Sequence, residues 1–473
     1  MVTQTGTGLA RITIAAPKRR IDVALPENVP LAELLPSVLR HAGEGVADDG
    51  EQHGGWMLRR VDGAALDSAR TLGVQNVRDG EVLHLVPRRT EWPELDYDDI
   101  AEAIAGGARK YGRAWSGKAT RFTGLSVAVV VFVVALILAM RSGPPWFLPG
   151  LVPLVLSFVL IVTGILLSRA IGDSVAGAVI GGVALLYAFV GGFLLLGPSN
   201  EGLLGDSLQR VTNFGAPQLL VGSAVLLVTS VIGYIGIAEY TRVFSGGALV
   251  GVMGIIAGLL GFRLVDEPHG VAAIVVSIVV ALVPAFPLLA MRLGKMPVPA
   301  LPQKPEDLIA DDPMPERESV YAAVVRSDEM LSGLLLGGSI VMVACEIVLT
   351  MSRTVDGPIL AGIVALAFVF RSRLFPSGRH RIPMLVAGLT GLSLLVVGIG
   401  AVVGPLYQLF GMVIGMVGIA GLVVSAGLTY SRRPPSPYFG RIADMLDVLL
   451  VVSVVPVACA VLDLYQWARG LAG

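Results

Sequence analysis

One stretch of the chain comes close to a nucleotide-binding loop. Gly112 is followed, after four residues, by Gly117 and Lys118, which is the spacing of a phosphate loop. Such a loop also needs serine or threonine directly after the lysine to hold magnesium, and here that position is Ala119. No strand is predicted before this segment to support its amide groups. We therefore interpret Lys118 as a basic anchor at a membrane surface and predict no nucleotide site.

Other catalytic and metal-binding patterns are missing from the sequence. Its five histidines and two cysteines are scattered, and it contains neither HExxH nor GxSxG. A metal site or a histidine-based catalytic relay needs such side chains close together. We therefore predict no catalytic residue, no metal and no cofactor, and the protein is not expected to be an enzyme. The net charge of −1 gives no basic field for nucleic acid.

A few polar or small residues in apolar surroundings remain as candidate sites. Ionisable groups inside membrane segments often mark a transport path or a helix contact. Glu346 and Asp463 lie inside apolar runs, within a turn or two of their outer ends, and for Glu346 this position favours snorkelling or a helix–helix contact over a functional or pairing role. The spacing of Gly247 and Gly251 suits close helix approach. The candidate partner-contact or helix-packing positions are Glu346, Asp463, Arg317, Arg326, Gly247 and Gly251.

The elements that carry these residues are membrane-spanning helices. The chain is 54% hydrophobic and 15% charged, whereas soluble proteins carry about 25% charged residues. A helix of about 20 apolar residues crosses a bilayer, and lipid demands that its backbone groups pair internally. Residues 121–473 are expected to form eleven such spans: 121–141, 146–168, 173–197, 216–238, 243–265, 270–291, 330–351, 357–374, 382–403, 405–430 and 442–467.

Charge in the connections predicts the orientation of these spans. Cytoplasmic connections carry an excess of lysine and arginine. The even-numbered connections hold 14 such residues, and the opposite side holds 5. We therefore expect a cytoplasmic N-terminus and, because the number of spans is odd, a periplasmic C-terminus.

Residues 1–88 have the pattern of a small α+β domain. Apolar and polar residues alternate in Leu9–Ala15 and Arg20–Leu25, which predicts a hairpin, and leucines at helical spacing follow from Leu31. Trp56–Arg60 and the residues after Asp79-Gly80 read as two further strands. The order β-β-α-β-β is that of a β-grasp fold, and we expect this domain to lie in the cytoplasm.

Two connecting segments could contact partners. Residues 89–120 are acidic at the start and basic at the end, which favours an amphipathic linker helix at the membrane surface over a flexible linker. The inner loop 292–329 is rich in proline and ends in a short helical stretch, Glu316–Arg326. Proline stiffens extended backbone, so this loop could bind a partner or serve as a plain spacer.

The N-terminal domain resembles ubiquitin-like domains. The resemblance lies in the stretches Asp67–Val74 and Val77–Leu85. Pro87, Arg88 and Arg89 replace the diglycine ending, so docking is a better interpretation than conjugation. The order of a ubiquitin-like domain, a linker and eleven spans with a proline-rich inner loop resembles the EccD family, a membrane component of type VII (ESX) secretion systems. The resemblance suggests the member of the third ESX system, which is associated with siderophore-dependent iron acquisition.

This resemblance implies a function in the bacterial inner (plasma) membrane. The protein would pair with a second copy of itself to enclose a vestibule lined by membrane lipids, and would assemble with EccB, EccC (the ATPase) and EccE. Its cytoplasmic domain and inner loops would dock the ATPase. The alternative is a secondary transporter with a regulatory ubiquitin-like domain. Pro284 and Pro287, which interrupt the sixth span, favour that alternative.

Overall fold

The chain divides into two compact units, Met1–Trp115 and Ser116–Gly473. The structure is a computed structural model. It describes residues 8–16, 19–43, 55–61, 63–87, 115–197, 215–237, 239–265, 267–297, 316–352, 354–432 and 436–472. Residues 89–114 of the predicted linker and most of the proline-rich loop lie outside the described residues, while residues 117–120 of that linker begin the first membrane helix.

The first unit has the predicted β-grasp order. Its elements are β1 (Leu9–Ala15), β2 (Arg20–Pro26), α1 (Leu31–Ala42), β3 (Trp56–Arg60) and β4 (Val82–Pro87). The sheet order is β2-β1-β4-β3. β1 pairs antiparallel with β2 and parallel with β4, and β3 pairs antiparallel with β4. The predicted fold of this domain is confirmed.

Alternation along the strands builds the core of this unit. Ile12 and Ile14 on β1, and Leu83 on β4, point to one face and are almost fully buried. That face is covered by α1, whose buried residues recur at helical spacing and include Leu31 and Val38. Successive strand residues point to opposite faces, so every other residue of the same strands is left on the outer side.

The second unit contains eleven helices that are long and apolar enough to cross a membrane, counted over the described residues. This agrees with the predicted number. They are α2 (Gly117–Arg141), α3 (Phe147–Arg169), α4 (Ser174–Leu195), α5 (Ala216–Gly236), α6 (Arg242–Arg263), α7 (Pro268–Leu293), α8 (Arg317–Thr350), α9 (Asp356–Leu374), α10 (Gly378–Val402), α11 (Pro405–Tyr430) and α12 (Pro437–Val461). A short amphipathic helix, α13 (Leu464–Ala472), follows.

Prolines interrupt α7 near one end. The α-helix stops at Leu282, a 3₁₀ turn covers Val283–Ala285, and helix resumes over Phe286–Leu293. Pro284 has no N–H group, so the carbonyl of Val280, four residues earlier, loses its partner within the helix. The break therefore leaves a buried acceptor that another group must satisfy.

The helices differ in how much of their surface packs inside the chain. The tightest pairs approach through glycine: a Cβ at Gly150 of α3 would overlap the backbone of α4 at Leu195, and one at Gly177 of α4 would overlap the Gly164 carbonyl of α3. At the other extreme, α11 has no buried residue in its most apolar stretch. Close packing therefore holds the centre of the unit, while α11 exposes its surface on all sides.

Several span boundaries differ from the sequence-based expectation by a few residues, and two differences change the setting of candidate residues. The predicted span 442–467 ends earlier, because α12 stops at Val461 and Asp463 adopts a positive φ of 54° before α13 begins. Asp463 is therefore exposed at a turn and does not lie inside a span. The short helix predicted at Glu316–Arg326 is the first part of α8, which runs without interruption to Thr350, since no glycine or proline separates the two segments.

Candidate functional site

The near-match to a phosphate loop is the start of a membrane helix. Gly117 and Lys118 occupy the first turn of α2, and the Ser116 hydroxyl accepts a hydrogen bond of 3.2 Å from the Ala119 amide. A side-chain oxygen at this position is a helix N-cap. The amide that it caps is therefore engaged within the helix terminus. No group of three or more metal-ligating side chains occurs among the described residues.

Glu346 lies on α8 and is fully buried. Its carboxyl group packs directly on Gly391 of α10, where an added methyl group would overlap it. Neither carboxyl oxygen has a hydrogen-bond partner among the described residues. The residue therefore lies, fully buried, at a contact between two helices.

Gly247 and Gly251 lie on the face of α6 that packs against α5. A Cβ at Gly247 would overlap the Ser230 hydroxyl, and one at Gly251 would lie 2.9 Å from the Cβ of Leu227 and 3.0 Å from its Cα and amide nitrogen. Two further glycines of α6, Gly254 and Gly258, approach α5 in the same way. Small residues on one side of a helix let backbones come close in lipid.

The two predicted loop arginines lie on the inner extension of α8. Arg317 is exposed in its first turn. The Arg326 side chain donates a hydrogen bond of 3.5 Å from Nε to the Gly294 carbonyl, directly after α7. Arg326 therefore links the segment that precedes the proline-rich loop to the helix that follows it.

A buried polar site at the break in α7 was not predicted from the sequence. Arg371 of α9 donates a hydrogen bond from Nη1 to the Val280 carbonyl, the acceptor that Pro284 frees in α7. Its Nε lies 3.5 Å from Oδ1 of Asp447 on α12. The Arg371 side chain is 8% exposed and that of Asp447 is 21% exposed. One arginine thus connects three helices at the break in α7.

A second ionic cluster lies on neighbouring helices at the same end of the bundle. Glu329 of α8 is 3.7 Å from Arg242 at the start of α6, and its neighbour Asp328 is 3.2 Å from Nε2 of His380 on α10. Arg379 lies 3.9 Å from both carboxylates. The cluster ties α6, α8 and α10 together at their charged ends.

These contacts place the predicted inner connections on one side of the membrane unit. Each contact joins residues that lie in or near an even-numbered connection or the N-terminal end of α2. The pairs are Arg121 with Asp173, Arg169 with the Gly236 carbonyl, Arg242 with Glu329, and Arg371 with Asp447. The helices therefore alternate in direction as the count of spans requires. A sequence signal for the Arg371 site existed, since Pro284 frees a carbonyl and Arg371 closes an apolar run, but spacing alone could not pair them.

Comparisons with known proteins agree with this architecture. Residues 120–471 match the family described as EccD-like transmembrane domain, and residues 9–85 match the WXG100 protein secretion system (Wss) protein YukD. The ESX-4 secretion system protein eccD4 of Mycobacterium tuberculosis is 22% identical, with 98% of each chain covered. The ESX-3 secretion system protein EccD3 of the same species is 24% identical over 97% of this chain and 98% of its own.

Two solved structures share the fold. Protomer 1 of the ESX-3 core complex gives a TM-score of 0.57 at 19% identity, covering 97% of this chain and all of that one. A chain of the MycP5-free ESX-5 inner membrane complex gives 0.55 at 20% identity, covering 89% and 99%. Relatives from two ESX systems match at similar identity, so the assignment to the third system stays a prediction.

Proposed function

The chain belongs to the EccD family, and we propose that it is the structural membrane subunit of a type VII (ESX) protein secretion complex in the bacterial inner membrane. One observation carries the proposal. A YukD-like domain over residues 9–85 and an EccD-like membrane domain over residues 120–471 occur in one chain. The relatives that match along almost the full length are named as ESX secretion components.

We propose that the protein works as a dimer around a lipid-lined vestibule. The support comes from helix faces that the single chain leaves open. Both α11 and α12 expose most of their apolar side chains, and no residue of α11 is buried in its most apolar window. Lipid chains or helices of a second copy would cover such surfaces equally well, because lipid is as apolar as leucine.

The energy for secretion would come from another subunit. The near-match to a phosphate loop that the sequence contains forms the start of α2. The Ser116 hydroxyl caps this helix. We propose that the ubiquitin-like domain and the inner loop 292–329 dock EccC, the ATPase component, with EccB and EccE completing the assembly. Arg326 and Gly294 support a docking role for the loop, since their hydrogen bond fixes where its two ends leave the membrane unit.

The orientation follows from charge. We propose that the N-terminus is cytoplasmic and the C-terminus periplasmic, since 14 lysines and arginines lie in the even-numbered connections and 5 on the opposite side. The polar contacts that group these connections at one end of the bundle support this arrangement.

A secondary transporter is the second candidate, because α7 is broken by prolines. Transporters use such breaks to bind substrate near the membrane midplane. Here Arg371 fills the break by bonding the freed Val280 carbonyl, and the pair with Asp447 lies near the charged end of the bundle. The break is thus closed by the chain itself, which favours a structural role.

Secretion provides the direct test of the proposed function. Deleting the gene should remove a defined set of proteins from the culture medium, while their cytoplasmic levels remain, and a plasmid copy should restore them. An unchanged secreted proteome, or a loss of uptake of a small solute instead, would contradict the proposal.

A further inference from the structure

The outer face of the N-terminal sheet is basic. On β1 the buried residues Ala10, Ile12 and Ile14 fix which side faces the core, so Arg11 points outward. The same alternation on the other strands places the remaining basic residues outward. We call the group Arg11, Arg20, Arg59 and His84 the basic sheet face.

Strand register brings three of these residues into one row. Ala15 of β1 is paired with Arg20 on β2 and with His84 on β4, and His84 is paired with Arg59 on β3. Strands lie about 4.8 Å apart, so the row spans about 14 Å from one sheet edge to the other. Arg11 lies four residues before Ala15 on β1, on the same face, and is paired with Ala24. Positive charge therefore crosses the whole width of the sheet.

The acidic residues of the described domain are elsewhere or engaged. Among the outward-facing residues of the four strands the acid is Asp22, which accepts a hydrogen bond of 2.6 Å from the Thr13 hydroxyl, and Asp79, beyond the start of β4, accepts one of 2.7 Å from the Arg11 amide. At the end of the sheet, Glu81 pairs with Arg60 at 3.0 Å. No described residue forms an ion pair with Arg11, Arg20 or Arg59. The unit is nearly balanced in charge but strongly asymmetric in its distribution.

An apolar strip accompanies this charge. Met57, Val82 and Val86 lie on the same face and remain partly accessible, with Met57 opposite Val86. Methionine and arginine are enriched at protein interfaces. Four strands of five to seven residues give a flat area of about 300–400 Å², well below the roughly 800 Å² that a standard interface buries on each partner. The face is thus sized for a short segment.

We propose that the basic sheet face binds an acidic segment, carrying one or two apolar side chains, of the ATPase subunit of the secretion complex. The carboxylates would pair with Arg20 and Arg59 at the two edges of the sheet, and the apolar side chains would lie on Met57 and Val86. This inference rests on the proposed function, since it names the surface through which the N-terminal domain docks.

The chain itself contains a competing acidic segment. Residues 91–102 hold six acidic residues and follow shortly after β4. Binding of this segment to the basic sheet face would be autoinhibitory or structural. The experiment must distinguish it from binding of a partner subunit.

Zero-length carbodiimide crosslinking in native membranes tests the proposal. The reagent joins an amine only to a carboxyl group in contact with it. Full-length Arg20→Lys and Arg59→Lys variants should form crosslinks to aspartate or glutamate of the ATPase subunit, identified by mass spectrometry of the joined peptides. The matched control is Arg40→Lys, an exposed position on α1 at the opposite side of the sheet. Crosslinks confined to residues 91–102, crosslinks equal to the control, or none at all would each overturn the proposal.

Charge reversal separates this proposal from the proposed function. The double variant Arg20→Glu with Arg59→Glu should reduce the amount of ATPase subunit that co-purifies with the chain by about tenfold or more, because like charges across an interface are strongly unfavourable. Arg40→Glu should leave it unchanged. Normal co-purification with the double variant would refute the docking surface alone, whereas absence of the ATPase from the unmodified complex would refute the proposed function.

Discussion

Replacing Arg371 by methionine should destabilise the membrane unit strongly. The change removes the donor for the Val280 carbonyl and leaves Asp447, 21% exposed, without its partner. Breaking one side of a buried ion pair costs about 3–5 kcal/mol. An unsatisfied buried carbonyl costs about 1–3 kcal/mol, and the two penalties overlap because they share one side chain. We therefore expect a loss of about 3–5 kcal/mol.

The matched control is Arg373→Met. Arg373 lies 3.6 Å from Asp444, so the pair is geometrically similar, but the side chains are 37% and 77% exposed. Exposed pairs contribute about 0–1 kcal/mol. The two arginines lie on the same helix end, so a difference between the two variants reports burial and not the loss of a positive charge.

A double-mutant cycle identifies the cause. Combining Arg371→Met with Asp447→Leu removes both charges, which should recover most of the loss. Adding Pro284→Ala restores an N–H group for the Val280 carbonyl and should recover part of the remainder. The assay is the midpoint of thermal aggregation in detergent, followed by size-exclusion chromatography. The reasoning is refuted if Arg371→Met and Arg373→Met shift the midpoint equally, or if the losses from Arg371→Met and Asp447→Leu simply add.

Three further predictions concern packing and topology. Gly251→Leu should weaken the contact of α6 with α5 by more than about 2 kcal/mol, since its Cβ would meet Leu227. The control is Gly415→Leu on α11, where nothing lies within 4 Å of an added Cβ, and it should leave the aggregation midpoint of the monomer unchanged. Equal shifts of the midpoint in the two variants would contradict the packing. Gly391→Ala should destabilise the membrane unit by about 1–3 kcal/mol, because the added methyl group overlaps the Glu346 carboxyl. Adding Glu346→Ala should reverse part of this loss of stability. No gain in the double variant would show that the contact is absent. A cysteine introduced by Arg141→Cys should react with a membrane-impermeant maleimide in intact cells, and one introduced by Arg379→Cys should react only after lysis; the reverse pattern would invert the topology.

The local features of the fold could be predicted from the sequence. Alternation in Leu9–Ala15 and the run lengths of the apolar segments depend only on neighbouring residues, and both the β-grasp order and the eleven spans are confirmed. The end of the last span was predicted too late, because the positive φ of Asp463 interrupts an otherwise apolar run. Hydropathy does not report such a backbone conformation.

Long-range pairing could not be predicted in this way. Glu346 stood out as an acid in an apolar run, but its contact with Gly391 depends on how two helices pack. Arg371 and Asp447 each looked like ordinary residues near a helix end. Only the fold shows that they meet at the carbonyl that Pro284 frees.

Purification of the tagged, full-length chain from native membranes in mild detergent tests the central claim most directly. We expect a large assembly that contains at least two copies of this chain and an ATPase subunit, with nucleotide hydrolysis lost when that subunit is removed. Recovery of the chain as a single component that hydrolyses nucleotide or transports a solute in vesicles would contradict the account.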